Sequence, residues 1–261
     1  MIRADRLAAH KVSLMAFGHV ARALRALAVY RAQQATARVS EAQTAYDRLV
    51  RMAARFGIPT PEREMIRPLV FVLGPEHGFT GALAARLLDA AEDLGNYETV
   101  IIGTRLGREA GIRGLAADII PLAVHIGAAD QTGKHIAERL AREPANRSCL
   151  LMTLPHADQA PMLVPLRPIA IDADGGPEPI FQLERPVLVD ALRQALERAQ
   201  INLAVLTAIK SENTARHLRL QAALDGVDDR LAQLDRQLAQ ERQSALTTEL
   251  GDLIGGILAL A

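Results

Sequence analysis

Residues 220–238 read Leu220-Gln221-Ala222-Ala223-Leu224-Asp225-Gly226-Val227-Asp228-Asp229-Arg230-Leu231-Ala232-Gln233-Leu234-Asp235-Arg236-Gln237-Leu238. Their apolar members Leu220, Leu224, Val227, Leu231, Leu234 and Leu238 alternate four and three residues apart, the seam spacing of a left-handed coiled coil. A seam of this kind needs a partner helix. Working outward, the stretch lies in a Pro-free flank of 75 residues at the C-terminal end of the chain, and a second Pro-free flank of 58 residues stands at the start. All 13 prolines fall between Pro59 and Pro186. A proline inside a helix costs about 3 kcal/mol, so the two flanks read as long helices and the middle as short pieces. At 1.5 Å per residue the C-terminal flank would span about 110 Å, several times the width of a domain built from the remaining residues. The helix at the other end of the chain is the available partner.

The N-terminal flank carries a weaker stripe at the same spacing, through Leu14, Phe17, Ala21, Leu24, Ala28, Arg31, Ala35, Arg38, Ala42, Ala45, Leu49, Met52 and Phe56. Much of it is alanine and two members are arginine. Small residues allow a bulkier helix to approach closely, so an Ala-rich stripe against a Leu-rich one is coherent.

The middle alternates strand and helix patterns. Leu69-Val70-Phe71-Val72-Leu73, a continuous apolar run before Gly74-Pro75, has the pattern of a buried parallel strand. A helix is expected from Gly81 to Leu94, closed by Gly95-Asn96, then a strand over Thr99 to Gly103. Asp118 to Val124 offers a third strand, Asp130 to Arg142 another helix, and Ser148 to Thr153 and Met162 to Ile169 two more strands. This alternation predicts a small doubly wound α/β domain. The expected division is a helix over 1–58, the α/β domain over 59–185 and a helix over 186–261.

Composition narrows the function classes. Thirty basic and thirty acidic residues give no charge surplus to draw the chain to nucleic acid. The single cysteine, Cys149, forms no intramolecular disulfide and fits a reducing compartment. No uninterrupted run of about 18 apolar residues is present, so no membrane span is expected. The first 40 residues hold seven Arg or Lys against Asp5 alone, the look of a transit peptide. The stripe continues unbroken past any cleavage point, which favours a helix.

Candidate chemistry is sparse. Gly74-Pro75-Glu76-His77-Gly78-Phe79-Thr80-Gly81 is a glycine-bearing turn between strand and helix, where a helix N-terminus can hold phosphate. It lacks the Lys-Ser/Thr of a P-loop and the G-x-G-x-x-G fingerprint. Gly103-Thr104-Arg105-Leu106-Gly107 reads as a second tight turn. Glu76-His77 offers an acid–base pair, with a structural or solvated role the commoner one for such a dipeptide. The seven histidines are scattered without zinc spacing. Ser211-Glu212 and Arg242-Gln243 are remote in sequence from any of these turns. No catalytic residue, cofactor-binding residue or metal ligand is expected.

The end of the chain carries a specific resemblance. Ser211-Glu212-Asn213-Thr214-Ala215-Arg216, then Arg242-Gln243-Ser244-Ala245-Leu246-Thr247-Thr248-Glu249-Leu250, then Leu253-Ile254-Gly255-Gly256-Ile257-Leu258-Ala259-Leu260 is similar, in order and spacing, to the C-terminal helix of the gamma subunits of rotary F-type ATP synthases. Glu76 to Gly81 is similar to that family's acidic-x-Gly-Leu-Cys-Gly turn, and Val20 to Ala28 to a segment near its start. Departures mark a divergent member, such as an alternate ATPase would carry. Thr80 replaces Cys, Ala82 a Gly, Leu83-Ala84 a Phe-Asn, Asn213 a His and Leu238-Ala239 a Tyr-Asn.

The resemblance implies a long antiparallel coiled coil of the N- and C-terminal helices with a Rossmann-like doubly wound α/β domain. It implies a rotor shaft coupling ion movement through a membrane ring to ATP synthesis or hydrolysis in a catalytic hexamer. The implied partners are the alpha and beta subunits, an epsilon-type subunit and the membrane c-ring, and the implied place is the cytoplasmic face of the cell membrane, peripherally. The partner-interface residues it implies are Leu24, Glu212, Arg216, Arg242, Gln243, Thr247, Glu249, Gly255 and Gly256. The residues also admit a coiled-coil adaptor without a rotor role, and a flavodoxin-like small-molecule enzyme with helical extensions.

Overall fold

A computed structural model describes residues 2–59, 67–115, 117–144, 146–155, 159–167, 169–173, 175 and 184–259. In chain order the elements are α1 (Ile2–Ala54), β1 (Leu69–Leu73), α2 (Leu83–Asp93), β2 (Glu98–Ile102), α3 (Thr104–Ile112), β3 (Asp118–Ile120), α4 (Ala129–Leu140), β4 (Cys149–Thr153), β5 (Met162–Arg167) and α5 (Arg185–Ala259). The chain forms two compact units, one from its two ends (up to Leu27 and from Leu218) and one from Ala28–His217.

In the unit built from the two ends, α1 and α5 lie side by side. Ala21 and Leu24 pack on Leu220 and Leu224, and Gly18 lies against Val227. Lys11 Nζ donates to Asp235 Oδ1 at 2.5 Å, Arg22 to Asp228 at 3.5 Å, and Arg25 to the side-chain oxygen of Gln221. One residue number falls as the other rises, so the pair is antiparallel. These exposed ion pairs add little stability, but they fix the register. Leu220, Leu224, Val227 and Leu234 are buried, as the heptad spacing requires.

The α1 stripe differs from expectation at four of its positions. Leu14, Ala21, Ala28, Ala35, Ala42, Leu49 and Phe56 face inward, but between them the inward residues include Gly18, Val39, Tyr46 and Ala53 rather than Phe17, Arg38, Ala45 and Met52. Phe17 and Met52 are more than 40 % exposed, and Arg38 turns outward to pair with Glu41 at 2.8 Å. Steps of three and of four residues reach neighbouring positions on one helix face. At 17/18 and 52/53 the seam takes the smaller residue, at 45/46 it takes Tyr46 over alanine, and at 38/39 it takes Val39 and leaves the arginine in water.

Within α1 an eighteen-residue window reaches a mean hydropathy of 1.4, so by length and composition this helix is apolar enough to cross a membrane. An alanine-rich window reaches this value despite isolated charges, where no uninterrupted apolar run exists; helices that pack inside a protein meet the same measure.

The unit from Ala28 to His217 is a sheet covered on both faces. Strand order is β3-β2-β1-β4-β5. The first four are parallel, with Phe71 opposite Val100 and Leu151. β5 runs antiparallel to β4, a feature the alternating pattern did not reveal. Side chains alternate across a strand. Leu69, Phe71, Leu73, Val100, Ile102 and Leu151 face α4, Ala35 of α1 and Ile201–Ile209 of α5. Val70, Val72, Ile101 and Met152 face α2 and α3. Both faces of β1 are thus buried, which accounts for its unbroken apolar sequence. A third cluster joins Ala53, Phe56 and Ile58 to Val189, Leu192 and Leu196.

Two local readings change. Residues 104–112 form a helix rather than an isolated turn. Gly107 is a packing glycine, since a Cβ there would stand 2.7 Å from Ile119 Cδ1. β3 ends at Ile120 rather than Val124, because the next residue is Pro121, which has no N–H for the ladder.

A compact ion network lies at the N-terminal end of the sheet. Arg147 donates to Glu98 at 2.6 Å and to Glu143, while Arg139 reaches Glu98 at 3.0 Å, Asp118 at 3.1 Å and Glu143. Burial disfavours charge on Glu143, but hydrogen bonds and charge from Arg139 and Arg147 outweigh it and hold the carboxyl below its ordinary value.

Two outcomes follow from this packing. Ala35→Leu, at a fully buried seam position, should lose about 1–3 kcal/mol through overpacking, while Arg38→Ala should leave the urea midpoint unchanged. The reverse ranking would restore the stripe expected from sequence. Because the folded state lowers the Glu143 pKa, the stabilisation is complete above the unfolded carboxylate range, about pH 4.3. It is lost as pH falls through the lower folded value. Glu143→Gln should therefore be less stable at pH 7 and show a shallower loss of stability on acidification, measured by urea titration at each pH.

Candidate functional site

The loop after β1 gathers polar groups from distant parts of the chain. In a doubly wound sheet the strand ends that precede helices carry unpaired N–H groups and a favourable helix dipole, the usual seat of a bound anion. Here that seat is filled by a side chain. The Glu76 carboxylate accepts from Thr104 N at 2.7 Å, Thr104 Oγ at 2.6 Å and Leu122 N at 3.0 Å. It therefore caps α3, whose preceding residue Gly103 has no side chain to do so, and takes the N–H left free where β3 stops.

A second carboxylate completes the arrangement. Glu212 of α5, 3 % exposed, accepts from Glu76 N at 3.0 Å and His77 N at 3.1 Å, and stands 3.1 Å from His77 Nδ1. Arg216, one turn further along α5, lies 3.8 Å from the same carboxylate. Burial lowers the Arg216 pKa, with Glu212 opposing that shift and Arg31 adding to it. Glu212, remote in sequence from the turn, meets it in space. Glu76 and His77 form no acid–base pair with each other, since each is engaged in holding the loop.

The glycines of these turns serve close packing. Gly103 has φ of +121°, and a Cβ there would fall 2.5 Å from Gly74 O. Gly74 itself abuts Leu106 and Leu87. Only glycine lets the two βα turns touch. Phe79 sits at φ 62° and is half exposed, a strained conformation for an aromatic residue. Among the described residues no group of three or more His, Cys, Asp or Glu is placed to hold a metal ion.

The other residues singled out from sequence lie in the unit made by the chain ends. Leu24 is half-buried in the seam. Arg242, Gln243, Thr247 and Glu249 are exposed on α5. Thr247 Oγ donates back to Gln243 O at 2.9 Å, and Gln240, Gln243, Ser244, Thr247 and Thr248 share one open polar surface. Leu246, Leu250 and Ile254 follow at steps of four and are each about 60 % exposed. Gly255 and Gly256 lie in the last turns of the helix. Sequence reading missed the Glu76 bridge to Thr104 and Leu122. An acidic residue directly after a strand-ending Gly-Pro was its only signal.

Comparison with known proteins gives a consistent picture. The model of the ATP synthase family matches residues 9–260. The ATP synthase gamma chain of Frankia casuarinae is 29 % identical over 124 residues, 47 % of this chain and 38 % of that one. The gamma chain of Thermobifida fusca is 32 % identical over 94 residues, 35 % of this chain and 31 % of that one. The matched stretch spans less than half the length of these curated relatives. A chain of the Euglena gracilis mitochondrial ATP synthase, in its OSCP/F1/c-ring assembly, shares the fold with a TM-score of 0.71 at 13 % identity, covering 99 % of this chain and 94 % of that one. A chain of the Tetrahymena thermophila central stalk and c-ring aligns with a TM-score of 0.56 at 10 % identity, covering 78 % and 99 %.

Removing the capping carboxylate tests the loop. Glu76→Ala leaves two backbone N–H groups without their charged acceptor and should cost about 2–3 kcal/mol, with faster amide exchange at Thr104 and Leu122. Unchanged stability and exchange would show that the loop does not depend on Glu76.

Proposed function

Because this chain belongs to the ATP synthase family, we propose that it is the gamma-type rotor shaft of an F-type ATP synthase. In that role it couples ion movement through a membrane ring to ATP synthesis or hydrolysis in a hexamer of alpha and beta subunits. The observation that carries this reading is the register of the antiparallel pair in the unit formed by the chain ends. Lys11 lies against Asp235, so at the same register Ile2 falls beside Ser244, and α5 runs on to Ala259. The remaining turns present Leu246, Leu250 and Ile254 outward. A helix end that is apolar on its outer face is suited to a sleeve of protein rather than to water. A paired, Pro-free rod resists bending and twisting better than a single helix.

The proposal extends to the contacts. Arg242, Gln243, Thr247 and Glu249 would meet the hexamer, with Leu24, Gly255 and Gly256 placed for the same sleeve. The guanidinium of Arg242 suits bidentate pairing with a partner carboxylate. Glu212 and Arg216 hold the loop after β1 from within, so any part they take at an interface with an epsilon-type subunit or the c-ring would run through the surface of that loop. The chain supplies no catalytic group. It works as a peripheral subunit at the cytoplasmic face of the cell membrane. The internal carboxylate at the strand ends supports a mechanical role over a nucleotide-binding one, because the donors that would hold phosphate already hold Glu76.

Reconstitution with the cognate hexamer tests this. The Arg242→Ala/Gln243→Ala variant should stay folded by circular dichroism and lose at least severalfold in coupled ATPase turnover. Full coupling and assembly in the double variant would overturn the interface. A hexamer that turns over equally with and without this chain would overturn the shaft role itself.

A further inference from the structure

Behind the edge of the sheet, within the unit from Ala28 to His217, is a cavity of about 190 Å³ enclosed by α1, β4, β5 and α5. It shares no lining residue with the loop after β1. Its apolar wall comes from Leu151, Val164, Leu203 and Ala204, and Met162 and Gln43, both well exposed, stand at its mouth. None of its ten lining residues is charged.

The polar groups here are out of the ordinary for a packed core. Thr153 and Thr207 are at least nine-tenths buried. Among the described residues, the hydroxyls of Thr153, Thr207 and Tyr46 have no hydrogen-bond partner in the protein. Gln200 spends its amide N–H on Pro165 O at 2.7 Å and keeps its carbonyl oxygen. A helical threonine ordinarily bonds back to its own helix, as Thr36, Thr44 and Thr247 do here. Thr207 does not. Burial also raises the Tyr46 pKa, with Asp47 adding to it, so its phenol remains a neutral donor and acceptor.

We propose that this cavity is a binding site for a small neutral alcohol with an apolar body, of the size of phenol. An apolar cavity on the order of 150 Å³ holds benzene, so the volume fits one ring and its substituent. The uncharged lining excludes phosphates, carboxylates and ammonium groups, whose desolvation nothing here would offset. A hydroxyl on the guest meets both donors (Tyr46, Thr153, Thr207) and an acceptor (the Gln200 carbonyl). An occupant would touch α1, the sheet and α5 together and would stabilise this unit by binding only its folded form.

The test is a titration of the full chain with phenol, followed by the methyl NMR signals of Leu151, Val164, Leu203 and Met162. Benzene and sodium benzoate serve as comparisons. Saturable shifts are expected with phenol, weaker binding with benzene and none with benzoate. Leu203→Phe, which fills the cavity from a half-exposed position, should abolish the phenol response. Thr207→Val, nearly the same shape, should weaken phenol by roughly threefold to tenfold and leave benzene unchanged, which keeps the proposal falsifiable if the larger variant misfolds. Shifts that rise linearly without saturating, equal binding of benzoate, or a phenol affinity untouched by Thr207→Val would overturn it and leave the cavity a pocket of water.

Discussion

A helix as long as α5, at 75 residues, cannot hide its apolar stripe on itself, and everything else in this chain is arranged around that need. Over its middle turns the stripe is covered by a sheet, where Ile201, Val205 and Ile209 enter the main core. Beyond His217 it is covered by a second helix. What allows that second helix close enough is size. Ala21, which packs on Leu220 and Leu224, is essentially inaccessible, and Gly18 stands against Val227. Bulky residues there would hold the backbones apart and forfeit the dispersion contacts that packed interiors depend on. The alanine-rich helix is therefore what the leucine-rich one requires of a neighbour.

The same economy governs the sheet. Its parallel strands and βα turns belong to a class of fold that commonly binds anions at the strand ends, and this chain keeps the geometry while supplying the anion itself. The Glu76 carboxylate sits on the donors, and the Glu212 carboxylate holds the loop that carries Glu76. Two acids from places far apart in sequence join β1, α3, the end of β3 and α5 into one bonded set. A load on α5 within this unit would pass to the sheet through charge-assisted hydrogen bonds, which are the stronger kind. That is in keeping with the mechanical role proposed above.

Much of this was legible in the residues. Proline placement separated helical ends from a broken middle, the heptad of Leu220 to Leu238 marked a seam that the structure uses, and the apolar run at 69–73 marked a strand buried on both faces. These are properties of short range, set by a helical period of 3.6, a strand period of 2 and the missing N–H of proline, so a single chain displays them. The motif at Arg242 to Leu250 was equally plain, because it is a run of residue types in fixed order that needs no fold to be read.

The folded chain alone decided the rest, and the reason is the same in each case. Whether Phe17 or Gly18 enters the seam depends on Val227, two hundred residues away, and periodicity treats the two positions alike. Helix α3 hid behind glycines because Gly107 serves Ile119 and Gly103 serves the backbone at Gly74, needs that no local pattern states. Glu76 became a cap only when Thr104, Leu122 and Glu212 were brought to it, across separations of 28 to 136 residues. Short-range order follows from the covalent chain and its local sterics. The choice between equally good local alternatives is made by contacts that exist only after the chain has closed on itself.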